Sequence, residues 1–259
     1  MDRFKSAEEF KENCGYDIEG RWYPRVTKIV EIKAKPALYR YYGELTSFNE
    51  GEKIKEESAK EGTAVHEALQ ALMIGGSPNI APEILPAVTT AYKFVKERNI
   101  KVDRKYIEYR IRNDTHRYAG TIDALALIDG KVGVLDIKTS QAIYRDYCLQ
   151  TSAYMDALVG RLKNLETRWI LRVDNLKNCL RCGSTLRQKG GRDKIKRPYP
   201  LPYGFIDCGL TNHEWSEMRG VVELEEFPFW QNDFKAFLAA KTLWEWENEN
   251  WLKRIGYLG

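Results

Sequence analysis

The spacing of apolar residues changes period several times along the chain. Over Glu61–Met73 (EGTAVHEALQALM) they fall at 65, 68, 69, 72 and 73, which is one face of a helix. Thr63 stands near the start as a cap, and Gly75, Gly76, Ser77 and Pro78 stop the run. A second helix is predicted over Pro86–Arg98. From Arg104 the pattern becomes strand-like: RKYIEYRIR roughly alternates, and RYAGTIDALALI follows it. The tetrapeptide Ile128-Asp129-Gly130-Lys131 then supplies an Asp-Gly hairpin turn, with KVGVLDIKT as the return strand. Tyr144–Leu162 reads as a helix, Thr167–Val173 and Glu217–Leu224 as strands, and the end as an amphipathic helix carrying Trp244, Trp246 and Trp251. Nearer the start, Arg21–Ile32 has strand or short-helix character and Lys35–Gly43 is rich in aromatics. Helix, strand, strand, strand, helix, strand predicts an α/β fold, a mixed central β-sheet flanked by helices. Residues 175–213, rich in Gly, Pro, Lys and Arg, read as an insertion into a domain formed by 1–174 and 214–259, with its core at 62–174.

Composition narrows this only a little. The 259 residues, 43% hydrophobic and 30% charged, suit one large globular domain or two small ones. No apolar run approaches the roughly 20 residues that span a bilayer, so no membrane partner is expected. The opening MDRFKSAEEFKENC lacks the apolar core of a secretory signal, so a cytoplasmic location is the expectation. A net charge of +4 is weak evidence for a nucleic-acid partner. Its distribution says more: between Lys177 and Arg197 eight basic residues face one acid, Asp193. A solvated loop would look like this. So would a flap in which Arg181, Arg187, Lys189, Arg192, Lys194, Lys196 and Arg197 neutralise phosphates.

The candidate chemistry lies in GTIDALALIDGKVGVLDIKTS, Gly120–Ser140, where Asp123, Asp136 and Lys138 interrupt segments that otherwise read as buried strand. Burying an unpaired charge costs several kcal/mol, so such groups neutralise, pair or bind a metal. Alternation puts Asp136 and Lys138 on one face and Ile137 on the other, and the turn folds the strand of Asp123 back beside them. Two carboxylates with one lysine can hold a hard divalent cation and orient a water for phosphodiester hydrolysis. A surface salt bridge between Asp136 and Lys138 is the plain alternative. The neighbours bear on the choice: Gln150 and Tyr154 share a helix face at i, i+4, His66 follows Gly62-Thr63-Ala64 on an amphipathic helix, and Glu108 sits in the strand before the hairpin. His66 alone would read as a core histidine, and Gln150 with Tyr154 as a surface pair. Asp123 in an apolar strand is the hardest to explain plainly.

In this order the motifs resemble the PD-(D/E)XK nuclease superfamily, in the RecB-like branch that includes the RecB and AddB nuclease domains, CRISPR-associated RecB-like nucleases and the mitochondrial genome-maintenance exonuclease. GTAVHEAL resembles the histidine motif, YAGTIDAL the GxxD motif, LDIKTS the (D/E)xK motif and QTSAY the QxxxY motif; WYPRVTKIV resembles the lead-in of phage and mitochondrial members. The match runs from Gly62 to Tyr154, and the remainder of the C-terminal half fits only loosely. The resemblance implies a restriction-endonuclease-like core with Mg²⁺ or Mn²⁺ held by Asp123, Asp136 and the backbone carbonyl of Ile137, with His66 and Glu108 beside them. It makes Lys138 the catalytic lysine, with Gln150 and Tyr154 contacting the substrate or orienting it. Single- or double-stranded DNA is the implied substrate, exonuclease action the implied mode, and recombination, repair or CRISPR proteins the implied company. Rival readings are an inactive nucleic-acid-binding relative and an iron–sulfur CRISPR nuclease subunit. No acid, lysine or glutamine of the set is missing, which favours an enzyme. Polarity and oligomeric state stay open.

Five cysteines in a cytosolic chain point away from structural disulfides. Cys179-Leu180-Arg181-Cys182-Gly183 is one knuckle, and CGLTNH brings Cys208 and His213; three thiolates and an imidazole suit tetrahedral Zn²⁺ in a ribbon-like insertion. By the resemblance, the alternative is a 4Fe-4S cluster on Cys14, Cys179, Cys182 and Cys208, with Cys14 in place of His213. The long basic loop before Cys208 departs from that pattern. Cys148 reads as packing.

Overall fold

A computed structural model describes residues 4–33, 41–45, 47–209 and 211–258. Most of the aromatic-rich stretch Lys35–Gly43 therefore lies outside the described residues. The elements are α1 (Ala7–Cys14), β1 (Gly15–Ile18), β2 (Arg21–Pro24), α2 (Val26–Val30), α3 (Phe48–Met73), α4 (Leu85–Glu97), β3 (Lys101–Val102), β4 (Tyr109–Asn113), β5 (Tyr118–Ile122), β6 (Ala124–Ile128) and β7 (Lys131–Lys138). They continue with α5 (Asp146–Val159), β8 (Leu165–Asn178), β9 (Thr185–Lys189), β10 (Arg192–Lys196), β11 (Arg219–Glu226), α6 (Gln231–Glu247) and α7 (Glu249–Arg254).

The fold is mixed α/β, as the pattern predicts: a seven-stranded mixed sheet flanked by helices. Its centre is β7, antiparallel to β6 and parallel to β8, with α5 as the crossover between the two parallel strands. Asp129 and Gly130 make the β6–β7 turn with φ of 50° and 83°, the backbone that Asp-Gly pairs favour. Two cores cover the two faces. Leu135 and Ile137 of β7 join α3 and α4 on one side. Val134, the alternate residue, joins α5, α6 and the N-terminal elements on the other, the side to which Asp136 and Lys138 also belong by alternation.

The structure revises four local expectations. The histidine helix is twice as long, because Ser47 caps it at the Glu50 N–H and charged residues with few apolar ones fill its first half. Glu108 is not in a strand; it stands before β4 with φ 48°. β8 runs unbroken through the expected boundary at 174, and β9 pairs with its far end while β11 pairs along its middle. The last helix is two, of which Trp244 is buried, Trp251 packs on Phe10, and Trp246 is 72% exposed. Among the described residues no helix is long and apolar enough to cross a membrane.

Candidate active site

Asp123 occupies a corner between two sheets rather than a strand. β5 pairs with β4 in a two-stranded sheet, β6 with β7 in the main one, and the chain crosses from the first to the second at this residue. The ladder of β6 and β7 matches Ala124 with Leu135, so the next positions, 123 and 136, meet at its end. There the Ile137 N–H donates to Asp123 Oδ2 at 2.6 Å. Glycine at 120 is needed for the approach: a Cβ there would lie 2.6 Å from the ring of Tyr154. Gly62 works similarly on α3, where a Cβ would meet Thr139 Oγ1 at 2.8 Å, so the helix carrying His66 can lie against the end of β7.

The expected residues come together around that corner. His66 Nδ1 lies 3.6 Å from Asp123 Oδ2. Lys138 Nζ is 2.7 Å from Asp136 Oδ2. Gln150 donates to Asp136 Oδ1 at 3.1 Å and to the Tyr154 hydroxyl at 2.9 Å, while its Oε1 accepts from Lys138 at 3.3 Å. One amide thus fixes the acid, the lysine and the phenol in one arrangement. Glu108 is drawn in by its own N–H, which donates to the Asp123 carbonyl at 3.2 Å. Gln70, which the motif reading passed over, donates to Glu108 Oε1 at 2.7 Å and to the Asp123 carbonyl at 3.2 Å. Its signal was its place four residues after His66, on the same helical face. Ile137 contributes its N–H to Asp123 and lines the cleft described below.

The electrostatics suit a cation. Burial pushes Asp123 up to about 6, against the pull of Lys138. Burial also pushes Asp136 up to about 6, with Lys138 lowering it and Asp123 raising it. Burial drives His66 down to about 4, helped by Lys138, so its imidazole is neutral at pH 7 and free to act as a ligand. Burial would lower Lys138, but Asp136 and Asp123 outweigh it and hold the ammonium above its ordinary value. Tyr154 stays a phenol, held well above the usual range by burial and then by Asp136. Asp136 is 1% exposed, and its Oδ2 is held by the Lys138 ammonium at 2.7 Å. A buried acid, a partly buried one and a third beside them fit a divalent cation, which prefers such hard oxygen donors.

Above the acids lies a cleft. One cavity of about 790 Å³ is lined by His66, Glu108, Asp123, Lys138, Gln150 and Tyr154, and also by Tyr16 and Arg25. A second, of about 810 Å³, shares His66, Lys138 and Thr139 with it and continues past Lys33, Arg145, Arg187, Lys189 and Lys194. A third, of about 640 Å³, shares Arg187 and Lys194 with the second and reaches Lys196 and Arg197. No protein-family model matches the chain, and no curated protein matches it.

The basic segment is anchored rather than free. Lys189 Nζ donates to the carbonyl and hydroxyl of Thr139, next to Lys138, at 2.6 and 2.7 Å. Burial, then Arg187, brings Lys189 down to about 8. Arg187 bonds the Thr139 carbonyl at 3.0 Å and pairs with Asp174 at 2.7 Å, and Gly190 N–H donates to Glu61 on α3 at 2.8 Å. Arg192 pairs with Glu44 at 3.1 Å. Arg181, Lys194, Lys196 and Arg197 remain exposed. The segment is therefore not a solvated loop: β9 and β10 form a wall of the cleft.

Cys179, Cys182, Cys208 and His213 place their ligand atoms within 4.8 Å of one another, the three thiols being buried, and can hold a metal ion such as zinc. Cys179 Sγ is 3.8 Å from Cys208 Sγ, and Cys182 Sγ is 3.4 Å from His213 Nδ1. Gly183 and Gly209 follow the two knuckles with φ of 69° and 62°. The alternative set containing Cys14 is not assembled, because Cys14 packs in the aromatic core with Phe10 and Trp22. Cys148 is buried on α5.

Proposed function

We propose that the chain is a divalent-metal-dependent nuclease of the PD-(D/E)XK type that hydrolyses phosphodiester bonds in DNA. The observation that carries the reading is the convergence of Asp123, Asp136, Lys138 and Gln150 at the end of one ladder, in a cleft with basic walls. Asp123 and Asp136 would hold Mg²⁺ or Mn²⁺, with Glu108 and neutral His66 beside them; a cation there supplies charge neutralisation and a more acidic water.

The protein's own groups do the rest. Lys138, kept as an ammonium, orients the attacking water and offsets charge developing on the phosphoryl oxygens. Gln150 holds Lys138 and Asp136 in register, and buried Tyr154 holds Gln150. Lys189 and Arg187 fix Thr139, and with it the end of β7. Exposed Lys194, Lys196 and Arg197 carry the phosphates of the flanking strand. Action from DNA ends follows from the resemblance alone. Zn²⁺ is the metal that best suits the cysteine–histidine cluster.

The test is cleavage of single- and double-stranded DNA labelled at either end, with Mg²⁺ or Mn²⁺ and with neither. Metal-dependent product is expected, and the labels give polarity. A native chain that binds DNA and never cuts it would leave a binding module instead.

A further inference from the structure

Away from the basic wall, the cleft has a second positively charged feature, made by Arg25 of the WYPRVTKIV stretch and by Arg110, which lies in none of the motifs. Arg25 and Arg110 both pack on the ring of Tyr16, at 4.4 and 4.5 Å from its centroid. Tyr16 and Arg25 line the same cavity as Asp123 and Glu108. Arg110 pairs across β4 and β5 with Thr121, two residues before Asp123, and the Tyr16 hydroxyl reaches Thr121 Oγ1 at 3.5 Å. Arg25 is fixed in place by donating to the carbonyls of Gly15 and Glu12 at 3.1 and 2.9 Å.

The charges around these two guanidinium groups do not balance. Their neighbour on β4, Arg112, pairs with Glu19 at 2.6 Å and with Asp114 at 3.4 Å. Among the described residues, neither Arg25 nor Arg110 has a carboxylate within 4.0 Å. Two like charges gathered on one aromatic ring repel each other, and an anion between them removes that cost. Guanidinium groups match phosphate with paired donors, and an arginine already stacked on an aromatic loses little freedom on binding.

We propose that Arg25, Tyr16 and Arg110 form a phosphate-binding subsite, which holds the nucleic-acid strand on the side of the acids away from the β9–β10 wall. The proposal rests on the nuclease reading and deepens it. Two strand residues span about 7 Å, so the subsite takes a phosphate within one or two nucleotides of the one at the acids. The ligand chemistry is a phosphodiester within the strand or a terminal phosphomonoester, and the experiment separates them.

Binding of an oligodeoxynucleotide labelled at its 3′ end with fluorescein is measured by anisotropy without added divalent ion, at several salt concentrations. It is made with a 5′-phosphate and with a 5′-hydroxyl. Arg110→Ala is the main variant, because Arg110 is exposed and its side chain packs on Tyr16 without an ion pair among the described residues. Arg110→Lys is the conservative partner, and Lys96→Ala on α4 is the control. Arg110→Ala should bind about tenfold more weakly, with a shallower salt slope by about 0.7 for a single strand, at an unchanged melting temperature. Arg110→Lys should recover part of the loss. Equal losses on both oligonucleotides assign an internal phosphodiester, and a loss confined to the 5′-phosphorylated one assigns the terminal group. Native binding with Arg110→Ala indistinguishable from Lys96→Ala overturns the subsite and leaves the nuclease reading standing. A native chain that binds neither oligonucleotide overturns both.

Discussion

Asp123 is costly where it stands. Its carboxyl is pushed up to about 6 by burial, so in the metal-free chain the folded state holds the proton more tightly than the unfolded state does. The sign follows: this favours folding below about pH 4, the unfolded carboxylate range, and is lost as pH rises through 6. Asparagine keeps an acceptor for the Ile137 N–H and does not titrate. Asp123→Asn should therefore match the native melting temperature at pH 4 and exceed it at pH 7, by about 2 kcal/mol or about 5 °C. With saturating Mn²⁺ the order should reverse, because only the native chain gains the ligand's stabilisation. A variant that melts below the native metal-free chain at pH 7 contradicts this account of the corner. The common face of Asp136 and Lys138 was legible, since strand alternation is local. The corner at Asp123 was not: β5 and β6 read as one run, and only the packing of Gly120 on Tyr154 goes with the chain's change of sheet. Gln70 was hidden in plain helical spacing.

Among the elements, the β9–β10 hairpin joins the cysteine–histidine cluster to the cleft. Cys179 follows directly on β8, β9 pairs with the last residues of β8, and β9 supplies Lys189 and Arg187 to Thr139. A closed cysteine–histidine site contributes folding energy to such a small unit. Native protein should carry about one zinc per chain by elemental analysis, and Cys182→Ser should lose most of it. In that variant the amides of β9 and β10 should exchange faster with deuterium, while those of β6 and β7 stay protected. Retained zinc, or unchanged exchange in β9 and β10, contradicts the coupling. Knuckle spacing was legible because the ligand chemistry fixes it. The docking of the hairpin was not, because it depends on Gly190 seating against Ser58, where a Cβ would lie 2.2 Å from the hydroxyl. The first half of α3 was equally illegible: its FNEGEKIKEESAK has few apolar residues, and its pairs are surface ones such as Lys60 with Glu56 at 3.1 Å.

For the molecule as a whole, two cores on opposite faces of one sheet leave the end of β7 open, and the cleft forms there. α3 comes from one core and α5 from the other, so His66 and Gln150 reach the acids from separate layers. The element order predicted a mixed sheet flanked by helices. It did not reveal that the same end would be walled by the basic segment. The central claim is that this end of the sheet cuts phosphodiester bonds with Lys138 as a working group. It is tested most directly by single-turnover cleavage of end-labelled DNA with Mn²⁺, comparing native chain with Lys138→Ala while binding is followed in parallel. The account predicts a rate lower by about a hundred- to a thousandfold, the scale of losing one positioned charge donor, with DNA affinity nearly unchanged. A Lys138→Ala chain that cuts at the native rate would contradict it.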